Sequence, residues 1–183
     1  VPSDDAIQPV EHFREYLLVL ARLQSDLLNQ ARLDPSDLVQ MTLLKAYQNR
    51  TQFRGQTGRE QAAWMRKILS NTMIDAVRRA RPGMEFRERS LEAALDQSSQ
   101  RLEALLCDHH PSPSEAEARH DRLVGLAGAI GKLPDDQRLA IELRYLQGLS
   151  IAEISGRMER SAASVGGLLQ RALRGLRERL GAE

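Results

Sequence analysis

The chain has 183 residues, 28% of them charged and 4% aromatic, with a formal net charge of +1 and one cysteine. A single cysteine excludes an internal disulfide and suits a reducing compartment. No stretch reaches the roughly 18 apolar residues of a membrane span, and the acidic opening VPSDDAIQPVEH lacks the apolar core of an export signal. Leucine, alanine and arginine recurring at helical spacing predict an all-α protein, of a length that suits one medium domain or two small ones.

In chain order, Phe13, Tyr16, Leu17, Leu20, Leu23 and Leu27 predict a helix ending near Arg32. Asp34-Pro35-Ser36-Asp37 is a helix start, with Asp34 as N-cap and Pro35 in the first turn. The helix after it, from Leu38 to about Asn49, is expected to bury Val39, Leu43, Ala46 and Tyr47 and to show Gln40 and Lys45 to solvent. Phe53-Arg54-Gly55-Gln56-Thr57-Gly58 follows as a turn-rich loop. From Glu60 to Arg81 a long helix sets Met65, Ile68, Leu69, Thr72 and Ala76 on a buried face, and Arg66, Lys67, Asn71, Arg78, Arg79 and Arg81 on the remainder. Such a density of cationic and amide groups suits phosphate contacts and base-edge hydrogen bonds. Trp64, Ile68, Asn71, Asp75 and Arg78 share one stripe; for Trp64 a core position competes with a base-stacking one. Asp75 repels phosphate, so it is expected to orient a neighbouring arginine.

Residues 83–117 form an acidic linker bounded by Pro82-Gly83 and Pro111-Ser112-Pro113-Ser114. Ser90 is expected to cap a helix carrying Leu91, Ala94, Leu95, Leu102, Leu105 and Leu106. The charge divides accordingly: 12 Lys+Arg against 9 Asp+Glu in residues 1–82, 3 against 8 in 83–117, and 11 against 8 in 118–183. Basic ends suit phosphate partners, although solvated helix faces explain charges this modest nearly as well. Cys107, His109, His110 and His120 invite a zinc reading, but paired ligands on both sides of a loop are missing, and no metal or other cofactor is expected.

Ser114-Glu115-Ala116-Glu117 has capping-box spacing and opens a helix with Leu123, Leu126, Ala127 and Ile130. Next, Pro134, Asp135 and Asp136 start a helix that should run to Gln147 and stop at Gly148. Ser150 and Glu153 form another capping box before a short helix, Ile151 to Met158. After the Glu159-Arg160 turn, Ser161 can cap a last helix whose apolar stripe is Val165, Leu168, Leu169, Ala172, Leu173, Leu176 and Leu180. Its opposite stripe holds Ala163, Gly167, Gln170, Arg171 and Arg174. A short helix, a tight turn and a longer helix with a polar, basic outward face is the helix-turn-helix arrangement that enters the major groove.

The places Leu133-Pro134, Gln137-Arg138, Arg144-Tyr145, Gly148, Ser150, Glu153-Ile154, Arg171-Ala172 and Leu176-Arg177, taken with Asp34 to Arg81, resemble the RNA polymerase sigma factors of the sigma-70 family. The likeness is to the small extracytoplasmic-function (ECF) type and covers roughly two thirds of the chain. It implies two helical domains, region 2 over residues 10–82 and region 4 over 118–183, joined by the acidic, partly helical linker 83–117. Asp34, Asp37, Leu38, Val39, Gln40, Thr42, Lys45 and Ala46 match the helix that docks on the polymerase clamp in that family. Asp37, Leu38 and Gln40 are the implied polymerase contacts, with Leu38 and Val39 equally suited to a helix core. The resemblance also implies a loop around Arg54 that receives a base flipped from the minus-ten element. Arg54, Trp64, Lys67, Asn71, Arg78 and Arg79 are expected to contact that element. Arg160, Ser161, Ala163, Ser164, Gly167, Gln170, Arg171 and Arg174 are expected at the minus-thirty-five element.

The chain departs from the family pattern with Glu159 in a turn where glycine is common, and with Gly166, Gly167 and Leu168 early in the recognition helix. Either the helix backbone approaches the groove floor or the preceding helix closely, or this module reads few bases; weak readout is the favoured account. The implied function is promoter-directed transcription initiation and melting, with core RNA polymerase and promoter DNA as partners and an anti-sigma factor admitted as a regulator. A monomeric, cytoplasmic, non-enzymatic chain is expected, with no membrane partner. The rivals are a polymerase-independent helix-turn-helix regulator, which would normally be a two-fold dimer, and a helical interaction protein that reads no DNA.

Overall fold

The computed structural model describes residues 8–84, 88–105 and 115–180, and every regular element among them is helical. A 310 turn, Val10–Phe13, leads into α1 (Arg14–Arg22) and, across a short bend, α2 (Ser25–Ala31). The single N-terminal helix expected from the leucine stripe is thus broken at Leu23-Gln24, and α2 ends at Arg32 with φ +57°. Six consecutive α1 residues, Tyr16 to Ala21, are buried. A helix apolar all round must be surrounded, and α1 packs against α3 (Pro35–Gln48), α4 (Gly58–Ala80), α5 (Glu88–Ala104) and α6 (Glu115–Gly131). It is the shared spine of the amino-terminal and carboxy-terminal halves, whose buried side chains form one continuous cluster.

The carboxy-terminal half continues through α7 (Asp135–Ile141), a π-helical turn (Glu142–Leu146), α8 (Ile151–Met158) and α9 (Ala162–Leu180). Pro134 stands one place outside α7, as its N-cap residue. The expected straight helix to Gln147 instead widens into the π turn and closes at Gly148, whose φ of +78° suits glycine.

Linker helix α5 begins before Ser90, which is therefore an exposed interior position and not its cap. Leu91, Leu95 and Leu102 are buried. The Tyr16 hydroxyl lies 2.9 Å from the Ser99 hydroxyl, and Arg66 Nη1 donates to the same tyrosine oxygen at 2.8 Å.

Between the halves lies a cleft of about 430 Å³. Arg22 of α1 faces Glu142 of the π turn across it at 3.8 Å, too long for a hydrogen bond, and the facing atoms Arg22 Nη1 and Glu142 Oε1 are buried with no hydrogen-bond partner among the described residues. On its rim, Arg157 donates to Asp26 at 3.4 Å. Cys107, His109, His110, Leu106 and the Ser114 cap lie outside the described residues, as do the side chains of Glu117 and His120.

Candidate nucleic-acid interface

Two polar helical faces come from opposite ends of the chain. In the amino-terminal half, the Thr57 hydroxyl accepts from Glu60 N at 3.2 Å, while the Glu60 carboxylate accepts from Gln56 N and Thr57 N at 2.8 and 3.1 Å. These backbone bonds hold the Glu60 carboxyl below the usual carboxylate range and fasten the preceding loop to the start of α4. At Gly55 an added Cβ would lie 2.4 Å from the Phe53 ring, so only glycine lets that ring fold across the loop. Phe53 then meets Trp64 with ring centroids 5.3 Å apart. Together with Tyr47, Arg50 and Gln61 they line a cavity of about 290 Å³. Trp64 is half-buried at this mouth rather than a core residue. Arg54 is exposed on the loop beside it.

Along α4, Asn71, Arg78 and Arg79 are exposed. Lys67 is exposed too, but its ammonium donates to both oxygens of Glu92 on α5 at 2.8 and 2.7 Å. Arg66 is not part of an open cationic face: Asp96 of α5 accepts from its Nε at 2.8 Å and the buried Tyr16 hydroxyl takes Nη1. Burial is the largest influence on Tyr16, holding its hydroxyl above the usual tyrosine range. Asp75, expected to orient an arginine, pairs with Lys45 of α3 at 3.4 Å, because α3 and α4 pack side by side.

In the carboxy-terminal half, Ser150 Oγ accepts from Glu153 N at 3.3 Å and Glu153 Oε2 accepts from Ser150 N at 2.7 Å, which starts α8 as expected. Glu159 ends it with φ +52°. That left-handed conformation is why glycine suits this turn. Glu159→Gly is expected to raise the unfolding free energy by about 1 kcal/mol, read from the urea midpoint. Ser161 Oγ accepts from Ser164 N at 3.2 Å and caps α9. Val165, Leu168, Leu169, Ala172 and Leu176 are buried, while Ala163, Gln170, Arg171 and Arg174 are exposed on the far side. Gly167 is half-buried next to Arg171, and Arg160 is ion-paired with Asp136.

Close approach of α9 to the preceding helix is not what the two glycines serve. A methyl at Gly166 would meet nothing within 4 Å, and one at Gly167 only the Arg171 side chain, at 3.2 Å from Nη1. Gly166→Ala with Gly167→Ala should therefore stabilise the free protein by about 2 kcal/mol in thermal or urea unfolding. Promoter affinity is expected to stay unaltered; a loss would mean that the helix backbone touches the groove floor.

Comparison with known proteins settles the family. Residues 12–82 match the description "Sigma-70 region 2" and residues 124–176 match "Sigma-70, region 4". The chain is 31% identical over 165 residues to the ECF RNA polymerase sigma factor SigL of Mycobacterium tuberculosis, covering 90% of this chain and 84% of that protein. It is 29% identical over 140 residues to the ECF RNA polymerase sigma factor BldN of Streptomyces coelicolor, covering 76% of this chain and 48% of that protein.

The chain belongs to the ECF family of RNA polymerase sigma factors. As a sigma factor it directs RNA polymerase to promoters; the region 2 match spans α1–α4, and the region 4 match begins within α6 and ends within α9. Among the described residues no helix is long and apolar enough to cross a membrane.

On α3 of this sigma factor, Asp37 and Gln40 are exposed, but Leu38 is only 2% exposed. Its side chain belongs to the core, because α3 turns it towards the buried cluster. The apolar groups that α3 does present are Leu44 and Tyr47, 58% and 54% exposed. Tyr47 was expected inside; instead Arg50 stacks on its ring at 4.5 Å. Asp37, Gln40, Leu44 and Tyr47 stand at spacings of 3, 4 and 3, one exposed stripe. That spacing is present in the sequence, but nothing local separates the exposed Leu44 and Tyr47 from the buried Leu38 and Ala46 of the same helix.

Proposed function

We propose that residues 10–82 bind core RNA polymerase and the minus-ten element, that residues 118–183 bind the minus-thirty-five element, and that residues 83–117 link them. The observation that carries this reading is α9: one face fills the core while Ala163, Gln170, Arg171 and Arg174 face outward beyond the α8 turn. Arg171 and Arg174 bind phosphate, Gln170 reaches a base edge, and the capped start of the helix, with Ser161, Ala163, Ser164 and Gly167, lies at the groove. Arg160 joins the phosphate contacts once released from Asp136.

At the minus-ten element, Lys67, Asn71, Arg78 and Arg79 hold the strand. The Phe53–Trp64 cavity, with Arg54 at its rim, receives a base lost from the stack, which offsets part of the cost of melting. Polymerase docks on the α3 stripe of Asp37, Gln40, Leu44 and Tyr47, since exposed apolar side chains ringed by polar ones suit a protein partner. The chain works as a monomer in the cytoplasm, with polymerase as the catalyst.

The test is holoenzyme assembly followed by chemical probing of unpaired thymines at the minus-ten element. Core polymerase with the wild-type chain is expected to open the duplex, and Asn71→Ala with Trp64→Ala is expected to bind core and leave the duplex closed. Full opening by that variant would contradict the assignment of α4.

A further inference from the structure

The cavity at Phe53 and Trp64 has a wall from a distant part of the chain. Residues 8–11 line it alongside the rings of Tyr47, Phe53 and Trp64. Gln61, in the first turns of α4, holds that segment in place. Its Nε2 donates to the Gln8 carbonyl at 2.6 Å, and its Oε1 accepts from Gln8 N at 3.0 Å. A side-chain amide thus repeats the exchange of N–H and C=O that joins paired residues of an antiparallel sheet. Gln61 is only 1% exposed, and a buried amide is normally fully partnered. Further along, Val10 and Phe13 enter the core cluster, and His12 N donates to the Pro9 carbonyl at 3.0 Å. Gln61 extends that anchoring to Gln8.

The wall changes what the cavity can do. Aromatic faces alone make a stacking platform, which takes every base because every base has a π face. Choosing between bases needs a concave site with placed polar groups. The residues that the wall brings, Gln8, Pro9 and Glu11, carry an amide, an apolar ring and a carboxylate, groups able to tell one base edge from another.

We propose that Gln61 is a positioning residue for base selection: by clamping Gln8 to α4 it holds residues 8–11 as a wall that turns the aromatic platform into a selective pocket for one unstacked base. The inference rests on the cavity receiving a base from the minus-ten element. Gln61 bears no charge, so its contribution is to the shape of the cavity and not to attraction for phosphate. Its loss should therefore be felt as lost discrimination rather than as a uniform loss of affinity.

The test uses holoenzyme and fluorescent fork-junction DNA whose minus-ten bases are unpaired, taken from a promoter mapped with the wild-type chain. Each unpaired position carries in turn the four bases and an abasic residue. Wild-type holoenzyme should show one position at which base removal weakens binding about tenfold and at which the four bases differ. Gln61→Leu should shrink the spread among the four bases there about fivefold, while affinity for the abasic probe stays that of wild type. Deleting residues 1–9 removes the wall and leaves Gln61 in place. It should shrink the spread equally, and adding Gln61→Leu to the deletion should change nothing further. Equal weakening of every probe by Gln61→Leu, the abasic one included, would mark general damage to region 2 and overturn the positioning role. Absence of any responsive position in the wild type refutes the cavity as a base receptor, whereas a spread that survives both variants refutes the clamp alone.

Discussion

Arg22→Ala is expected to destabilise the protein by about 3 kcal/mol at pH 8 and by much less at pH 5. Burial pushes the Glu142 carboxyl up to about 7, against the pull of Arg22 and Arg138. Arg22 is itself held below its usual range, chiefly by burial and then by Arg138, with Glu142, Glu15 and Asp135 acting the other way. In the unfolded chain Glu142 returns to about 4.5, so folding retains a proton between those two values. The contribution of this group to stability is therefore full below about pH 4.5, falls as pH rises through about 7, and levels off above, by up to about 3 kcal/mol in total. Removing Arg22 leaves the ionised carboxylate buried with only the weaker pull of Arg138 to offset its charge, which is costly at pH 8. At pH 5 the carboxyl is protonated and needs no partner. Urea unfolding from pH 5 to 8 measures this: Arg22→Ala should steepen the decline and Glu142→Gln should flatten it. Parallel curves for wild type and Glu142→Gln would contradict the assignment.

Arg171→Glu with Arg174→Glu should weaken binding to a minus-thirty-five duplex about a hundredfold at physiological salt. Both side chains are exposed on the face of α9 away from Val165, Leu169 and Leu176, so the melting temperature should hardly move. Two lost phosphate contacts should also lower the slope of log affinity against log salt by about 2. Titrations at several salt concentrations separate a phosphate role from a base-reading one: loss of affinity with an unchanged slope would exclude phosphate contact.

Much of the carboxy-terminal half was legible in the sequence, because its boundaries are set by local chemistry. Ser150 with Glu153, Ser161 with Ser164, and Gly148 mark their elements through bonds spanning a few residues. The α3 start at Asp34-Pro35 was legible for the same reason, with Asp34 Oδ1 accepting from Ser36 N at 2.7 Å.

What the sequence concealed depends on partners far away in the chain. Arg66 reads as a surface cation on a helical wheel, but Tyr16 and Asp96, 50 and 30 residues away, take its donors. Lys67 is likewise met by Glu92 across 25 residues. Leu18, Val19 and Ala21 fall off the α1 stripe and are buried nonetheless, because both halves pack on that helix. The π turn left no periodic signal, and it sets Glu142 facing Arg22, more than a hundred residues away in the chain, at 3.8 Å. Leu38 and Leu44 are six residues apart on one helix, and only packing decides that the first is core and the second is surface.

As proposed above, this chain gives core RNA polymerase its choice of promoter through two separate DNA contacts. That role is tested most directly by transcribing fragmented genomic DNA with core polymerase alone and with the chain added, then mapping every RNA start. New starts are expected that appear only with the chain and share two upstream sequence elements about 25 base pairs apart. Starts identical to those of core polymerase alone, or new starts sharing only one element, would contradict it.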